Sequence, residues 1–304
     1  LETLLTTEVT EDQIDHLGHM NVMYYAQHAQ AGARTLASRI GLDADGTLFQ
    51  PDRYTRHHRE QLLGSRLEVR GGVLEVGDEQ VRVYEELVNT EADVLAASFI
   101  LTLEATDPEG ASRLPLSDPT RSAARELVVE LPERGRPRTL TIEDDPISNA
   151  PSLGELNERG AAMREPRVVH PEECDPDGRV RWGIVADLVW GGTPVKGRDF
   201  QPFSEGPGGM KIGWATMETR ATWGTRARMG DRLQSFGVET DLADKTLTSR
   251  HWVYDLATGS LVCTFSVLSI AFDMVQRRAV SIPDHVRELM SVHLHADLDG
   301  MTRD

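Results

Sequence analysis

The sequence predicts an α+β chain in which one structural unit is used twice. Three observations carry that reading. First, a polar loop, Asp15-His16-Leu17-Gly18-His19-Met20-Asn21, runs into Val22-Met23-Tyr24-Tyr25 and a helical pattern. Second, a weaker copy of the loop, Asp175-Pro176-Asp177-Gly178-Arg179-Val180, follows at an offset of 160 residues. Third, Gly64-Ser65-Arg66-Leu67 matches Gly230-Asp231-Arg232-Leu233, and Leu95, Phe99 and Asp107 match Leu261, Phe265 and Asp273, all at an offset of 166. The second copy thus carries six extra residues between loop and glycine. A period this long implies duplicated domains rather than a solenoid. In each copy the order is loop, helix, strands, and a helix followed by an antiparallel sheet is an α+β unit.

The elements follow in chain order. Val22, Ala26, Ala29, Ala33, Leu36 and Ile40 recur at steps of four and three, one face of a helix. Asn21 is placed to cap its start and Gly41 to end it in a left-handed turn. Half of the stripe is alanine, so a sheet can approach closely. Val81, Val83, Glu85 and Leu87 alternate with their neighbours, and residues 95–104 form a second, apolar strand candidate. Residues 106–165 are rich in proline and charge and read as a bridge between units, with a strand added at 127–131. The second copy has a shorter helical stretch through Val185, Leu188 and Val189, closed by Gly191-Gly192. Residues 249–255 and 260–272, joined through Thr258-Gly259, read as a hairpin. Pro283-Asp284 signals a last helix start. The expected domains are 1–120 and 165–304, with 121–164 as the crossing segment.

The first loop carries the chemistry. Asp15 can activate water or attack directly. His19 and Asn21 can orient it or hold a substrate, and the free N–H groups at a helix start can stabilise an oxyanion. Such an arrangement suits one small carbonyl group. The plainer reading is a capped loop with exposed polar residues.

The helix-leading Asp-x-x-Gly-His-x-Asn, the later Gly-(Ser/Asp)-x-Leu and the long terminal hairpin resemble the hotdog-fold acyl thioesterases, both the 4-hydroxybenzoyl-CoA type and the plant acyl-carrier-protein type. The resemblance covers most of the chain and implies two tandem hotdog domains, each a long antiparallel sheet wrapped around a central helix. It implies that Asp15 is the catalytic carboxylate, with His19 and Asn21 as the polar pair after it. It makes Tyr24 the aromatic at the helix start and Glu60, four residues before Gly64, a carboxylate near a strand start. The second copy keeps Asp175 and Gly178. However, His19 is matched there by Arg179, Asn21 by Arg181 and Glu60 by Arg226, and its loop is closer to the Asp-Pro-x-Gly-x-Val form. The Asp15 loop is therefore the favoured site, with Asp175 as the second candidate. Arg179, Arg181 and Arg226 either bind a phosphate or carboxylate or are ordinary surface charge.

The activity implied is hydrolysis of an acyl thioester, on coenzyme A or an acyl carrier protein, with Asp15 as nucleophile or general base. The N–H groups of Val22 and Met23 would hold the oxyanion, where the helix dipole favours negative charge. Asp15 must stay ionised, which donors such as His19 and Asn21 assist. No cofactor is expected beyond the coenzyme A of the substrate, and no metal is needed, because thiolate leaves readily from a poorly stabilised carbonyl. Two alternatives stand beside this reading. One is hydratase or dehydratase chemistry on an acyl thioester, although the Gly-Asp-x-Asn-Pro-x-His pattern is absent. The other is binding without turnover.

Composition narrows the classes. A net charge of −17 and a pI near 5.0 argue against nucleic acid or an anionic membrane as partner. Arg226, Arg228 and Arg232 form a local basic cluster that can meet an anionic cofactor moiety, or else are plain surface charge. Cys174 and Cys263 are the only cysteines and read as unpaired, as in a reducing cytoplasm. No apolar run approaches a membrane span and no signal peptide is visible; Leu1 suggests a trimmed start. His57-His58-Arg59-Glu60 lacks a partner at metal spacing, His293-x-His295 reads as surface, and there is no Gly-x-Ser-x-Gly elbow, P-loop or dinucleotide fingerprint. The glycine- and proline-rich stretch 191–210 reads as a lid or a connecting loop. Trp182, Trp190, Trp214, Trp223 and Trp252 all fall in the second half and shape either an acyl pocket or the core. Two units in one chain permit a monomer, and further pairing into a homo-oligomer is common in the family resembled.

Overall fold

The computed structural model describes all residues except 16, 109, 111, 197–205 and 300–304. The chain forms two compact units, Leu1–Pro137 and Arg138–Asp304. The stretch expected to bridge them is divided, with 121–137 in the first and 138–164 in the second.

In the first unit the elements are β1 (Glu2–Glu8), α1 (Val22–Ile40), α2 (Leu42–Asp45), β2 (Thr47–His57), β3 (Arg66–Val76), β4 (Gln80–Asn89), β5 (Val94–Thr106), β6 (Arg113–Leu114) and α3 (Asp118–Glu126). The sheet order is β1-β3-β4-β5-β2, antiparallel throughout, with β6 on β5. The long central helix α1 lies on this sheet through the predicted stripe. Ala29, Ala33, Leu36 and Ala37 are fully buried against Val69, Val73, Val83, Phe99 and Leu101. Val22, the first residue of the stripe, is instead 37% exposed at the helix mouth. Gly32 sets how closely the helix packs: a Cβ there would lie 2.6 Å from Val69 Cγ1 and 3.0 Å from a Glu85 carboxylate oxygen. Glu85 shares one cross-strand row with Thr55, Phe99 and Gly71, so its carboxyl lies under α1. It is fully buried, and both its oxygens lack a hydrogen-bond partner among the described residues.

The expected strand at 127–131 is only a single bridge, Val128 to Val73. It is fixed by Val73 N–H donating to the Leu127 carbonyl (2.9 Å) and Val129 N–H donating to that of Val73 (2.8 Å). Helix α3, inside the stretch read as a bridge, starts at Ser117, whose hydroxyl accepts from Thr120 N–H.

The second unit contains α4 (Leu153–Glu158), β7 (Arg167–Val168), α5 (Val185–Trp190), β8 (Ile212–Trp223), β9 (Arg232–Leu242), β10 (Thr246–Asp255), β11 (Leu261–Asp273), β12 (Arg278–Ala279) and α6 (Asp284–Ser291). Its sheet order is β8-β11-β10-β9-β7, again antiparallel, with β12 on β11. The predicted hairpin is β10–β11 and the predicted last helix is α6. The two central helices differ in length: α1 has 19 residues, whereas α5 has six and stops where Gly191 turns the chain away.

The duplication is visible bond by bond. Asp15 N–H donates to the His19 carbonyl (2.8 Å), and Asp175 N–H to that of Arg179 (2.7 Å). Asn21 N–H donates to the Gln13 carbonyl (2.9 Å), and Arg181 N–H to that of Glu173 (3.0 Å). Met20 N–H reaches the Gln61 carbonyl (2.8 Å), and Val180 N–H that of Ala227 (2.9 Å). Val9 and Gly64 are linked as Val169 and Gly230 are, at 2.9 and 3.0 Å. No described helix is long and apolar enough to cross a membrane.

Candidate active site

The Asp15 loop is a tight reversal between the bridged residues Ile14 and Met20. Gly18, at φ 84°, makes the turn and donates its N–H to the Asp15 carbonyl (3.0 Å). That conformation is cheap only for glycine. The reversal places two backbone donors on one carboxylate oxygen: Asp15 Oδ1 accepts from Leu17 N–H (2.8 Å) and His19 N–H (3.3 Å). Asp15 itself is half-buried.

The sequence-predicted neighbours converge in part. His19 Nε2 lies 3.4 Å from Glu60 Oε2, so two residues 41 apart in the chain meet beside the loop. Asn21 is the helix cap: its Oδ1 accepts from Met23 N–H at 3.1 Å. The Met23 N–H is thereby engaged, and Val22 supplies the N–H of that pair which the cap does not use. Tyr24 turns its hydroxyl back to the Asp12 carbonyl (3.0 Å).

Its neighbour Tyr25, which the motif did not single out, is the buried one. The Tyr25 hydroxyl donates to the Arg59 carbonyl (3.2 Å), and its ring meets His57 edge-on at 5.0 Å. Burial pushes the Tyr25 phenol above its ordinary range, and the nearby Asp15 charge adds to the rise. His57 is pushed down to about 4, by burial first and then by the charges of His58 and Arg53. The ring is therefore neutral at ordinary pH. His58 pairs with Ser98 Oγ at 3.0 Å. Gln61, also missed, is buried and carries the backbone carbonyl that holds Met20, while its side chain accepts from Asn89 (2.8 Å). Its one sequence signal is its place directly after Glu60.

The second loop keeps the frame and changes the charges. Gly178 has φ 76° and bonds back to Asp175 (2.9 Å). Asp175 Oδ2 is paired with Arg226 Nη2 at 2.8 Å, and Asp177 lies 3.8 Å from Arg226 and 3.7 Å from Arg179. The Arg226 guanidinium also lies over the Trp182 ring, 6.0 Å from its centroid. Arg181 instead donates to the Glu172 carbonyl (2.7 Å), away from the other two. Here the position of Glu60 holds a cation that grips the loop carboxylate.

Replacing Arg226 with Met leaves the half-buried Asp175 without its cation, whereas Asp177 is exposed and keeps Arg179 nearby. Such a loss is expected to lower unfolding stability by roughly 1–3 kcal/mol, below the full cost of breaking a deeply buried pair. Urea denaturation measures this, and an unchanged midpoint would reduce the contact to an ordinary surface pair.

The other sequence readings also find their places. Arg228 and Arg232 are exposed. Cys174 and Cys263 are free thiols, the second fully buried. Trp182, Trp223 and Trp252 are core residues, while Trp190 and Trp214 line a cavity of about 330 Å³. Of the stretch read as a lid, 191–210, residues 197–205 lie outside the described residues.

No protein-family model matches the chain, and no curated protein matches it. Solved structures do. A chain described as a candidate oleoyl thioesterase from Lactobacillus plantarum is similar with a TM-score of 0.64 and 10% identity, over 88% of this chain and 94% of that one. The 12:0-ACP thioesterase from Umbellularia californica gives 0.63 and 11%, over 88% and 93%. An acyl-ACP thioesterase from Bacteroides thetaiotaomicron gives 0.60 and 11%, over 87% and 96%. At such identities the likeness is one of fold. The fold is the hotdog fold, and the chain carries it in the tandem, double-hotdog form.

Proposed function

We propose that the chain hydrolyses an acyl thioester, and that the Asp15 loop does the chemistry. The observation that carries this reading is a half-buried carboxylate held by two backbone donors in the turn that leads into α1, with His19 and Glu60 paired beside it. Asp15 takes a proton from water as the water oxygen bonds to the thioester carbon. The carbonyl electrons move to oxygen, where the Val22 N–H and the positive end of α1 favour the charge. Collapse breaks the carbon–sulfur bond, and the thiolate leaves and takes up a proton. Direct attack by Asp15, with an anhydride hydrolysed in a second step, uses the same atoms. The thioesterase names of the structural neighbours support the substrate class, whose carrier is coenzyme A or an acyl carrier protein.

Thiol release from short, long and aromatic acyl-CoAs, read with a thiol-reactive dye, tests the proposal. Fast release from one class is expected. An enoyl absorbance change without thiol release would assign hydratase chemistry instead. Tight binding with neither signal would make the chain a thioester-binding protein.

A further inference from the structure

The repeat supplies an internal comparison that bears on the second unit alone. In the first unit Val73, Val81, Val83, Leu101 and Leu103 form a fully buried apolar surface beneath α1. Their register is explicit: Val83 pairs with Val73 and Leu101, and Val81 with Leu103. At the offset of 166 the same lattice recurs, with Ser249 paired to Glu239 and Val267, and Leu247 to Ser269. Val73 has become Glu239, Val83 has become Ser249 and Leu103 has become Ser269.

A core that only needed filling would not exchange three of these positions for polar groups, because buried polar atoms cost free energy unless they are matched. The helix above them also differs. α5 ends at Trp190, which matches Gln30, whereas α1 continues to Ile40. Where the second helix stops, the cavity of about 330 Å³ opens, lined among others by Glu239, Ser249, Ser269, His251, Trp190 and Trp214. That volume lies at the lower end of small-molecule sites, roughly 300–1,000 Å³.

The side chains are held in place. His251 is 4% exposed, its Nε2 is 3.0 Å from Ser249 Oγ, and its ring lies edge-on to Trp190 at 5.8 Å. Trp190 is also braced edge-on against Phe265 at 5.2 Å. Glu239, also 4% exposed, brings a carboxylate to the cavity wall. Indole rings offer flat apolar faces to a planar ring, and a carboxylate with two serine hydroxyls accepts from an amine or hydroxyl.

We infer that this cavity is a binding site for a small aromatic molecule bearing an amine or hydroxyl donor, with the ring between Trp190 and Trp214 and the donor toward Glu239 and Ser249. None of Asp175, Arg179, Arg181 and Arg226 lines it, and the inference does not rest on the thioesterase proposal.

Calorimetric titration of the full chain with phenethylamine, and with ethylbenzene as its analogue without the amine, tests the assignment. Phenethylamine is expected to bind at least about tenfold more tightly. Glu239→Val, which restores the residue of the first unit, should erase that preference and leave ethylbenzene binding unchanged. Ser269→Leu, also a first-unit residue, should exclude both probes by volume. Thermal unfolding shows that each variant is folded, and a Glu239→Val chain that fails to fold is replaced by Glu239→Gln, which should weaken phenethylamine selectively. Equal binding of the two probes, no binding of phenethylamine below about 1 mM, or a preference unchanged in the folded Glu239 variant would overturn the inference.

Discussion

Asp15→Asn is expected to lower thiol release by about 10²–10⁴-fold, the usual contribution of a positioned general base, with the unfolding midpoint unchanged. The amide oxygen of Asn can still accept from Leu17 and His19 N–H, so the turn persists while the proton acceptor is lost. Asp175→Asn is expected to keep most of the activity, since Asp175 is committed to Arg226. The pair of variants separates three cases in one assay. Loss only in Asp15→Asn supports the proposed site. Loss only in Asp175→Asn moves the chemistry to the second loop. Full activity in both removes the carboxylate mechanism.

The second large effect concerns Glu85. Burial alone pushes its carboxyl well above the ordinary value of 4.5. An unfolded chain therefore releases this proton near pH 4.5, while the folded chain retains it to a much higher pH. Over that interval the folded state binds one more proton, and stability falls as pH rises, by about 1.4 kcal/mol per pH unit. Glu85→Leu removes the penalty and should stabilise the chain more at about pH 8 than at about pH 5. Glu85→Gln should flatten the profile in the same sense. His28 and His57, both shifted down by burial, act oppositely, since stability held above their unfolded value of 6.5 is lost as pH falls. They are present in every variant and cancel in the difference. A gain for Glu85→Leu that is the same at both pH values would show that the folded carboxyl ionises normally. Denaturant curves at the two pH values decide.

Much of this architecture was legible in the residues themselves. The alanine stripe, Asn21 and Gly41 define α1 because spacing, cap and left-handed turn agree on one helix. The two offsets foretold a duplicated frame that the hydrogen bonds then reproduce. What was hidden depends on packing between distant segments. Helix α3 does have a start signal in Ser117-Asp118-Pro119, yet proline density in the surrounding stretch speaks for a linker. Tyr24 and Tyr25 are indistinguishable in the motif, and only their place on the helix decides which is buried. The His19–Glu60 pair was foreseen as two separate residues of one site, but their contact follows from where β3 begins. The polar lattice of the second unit needed strand register, which an offset alone does not supply.

One feature of the two loops reaches beyond catalysis. Their reversal is held by main-chain bonds and a glycine, and the same bonds form whether positions 19 and 21 or their counterparts 179 and 181 carry His and Asn or two arginines. The shape of the loop is therefore decoupled from the identity of its reactive side chains. A lineage that duplicates such a unit can let one copy drift in chemistry at little cost in folding, while the other keeps the inherited activity under selection.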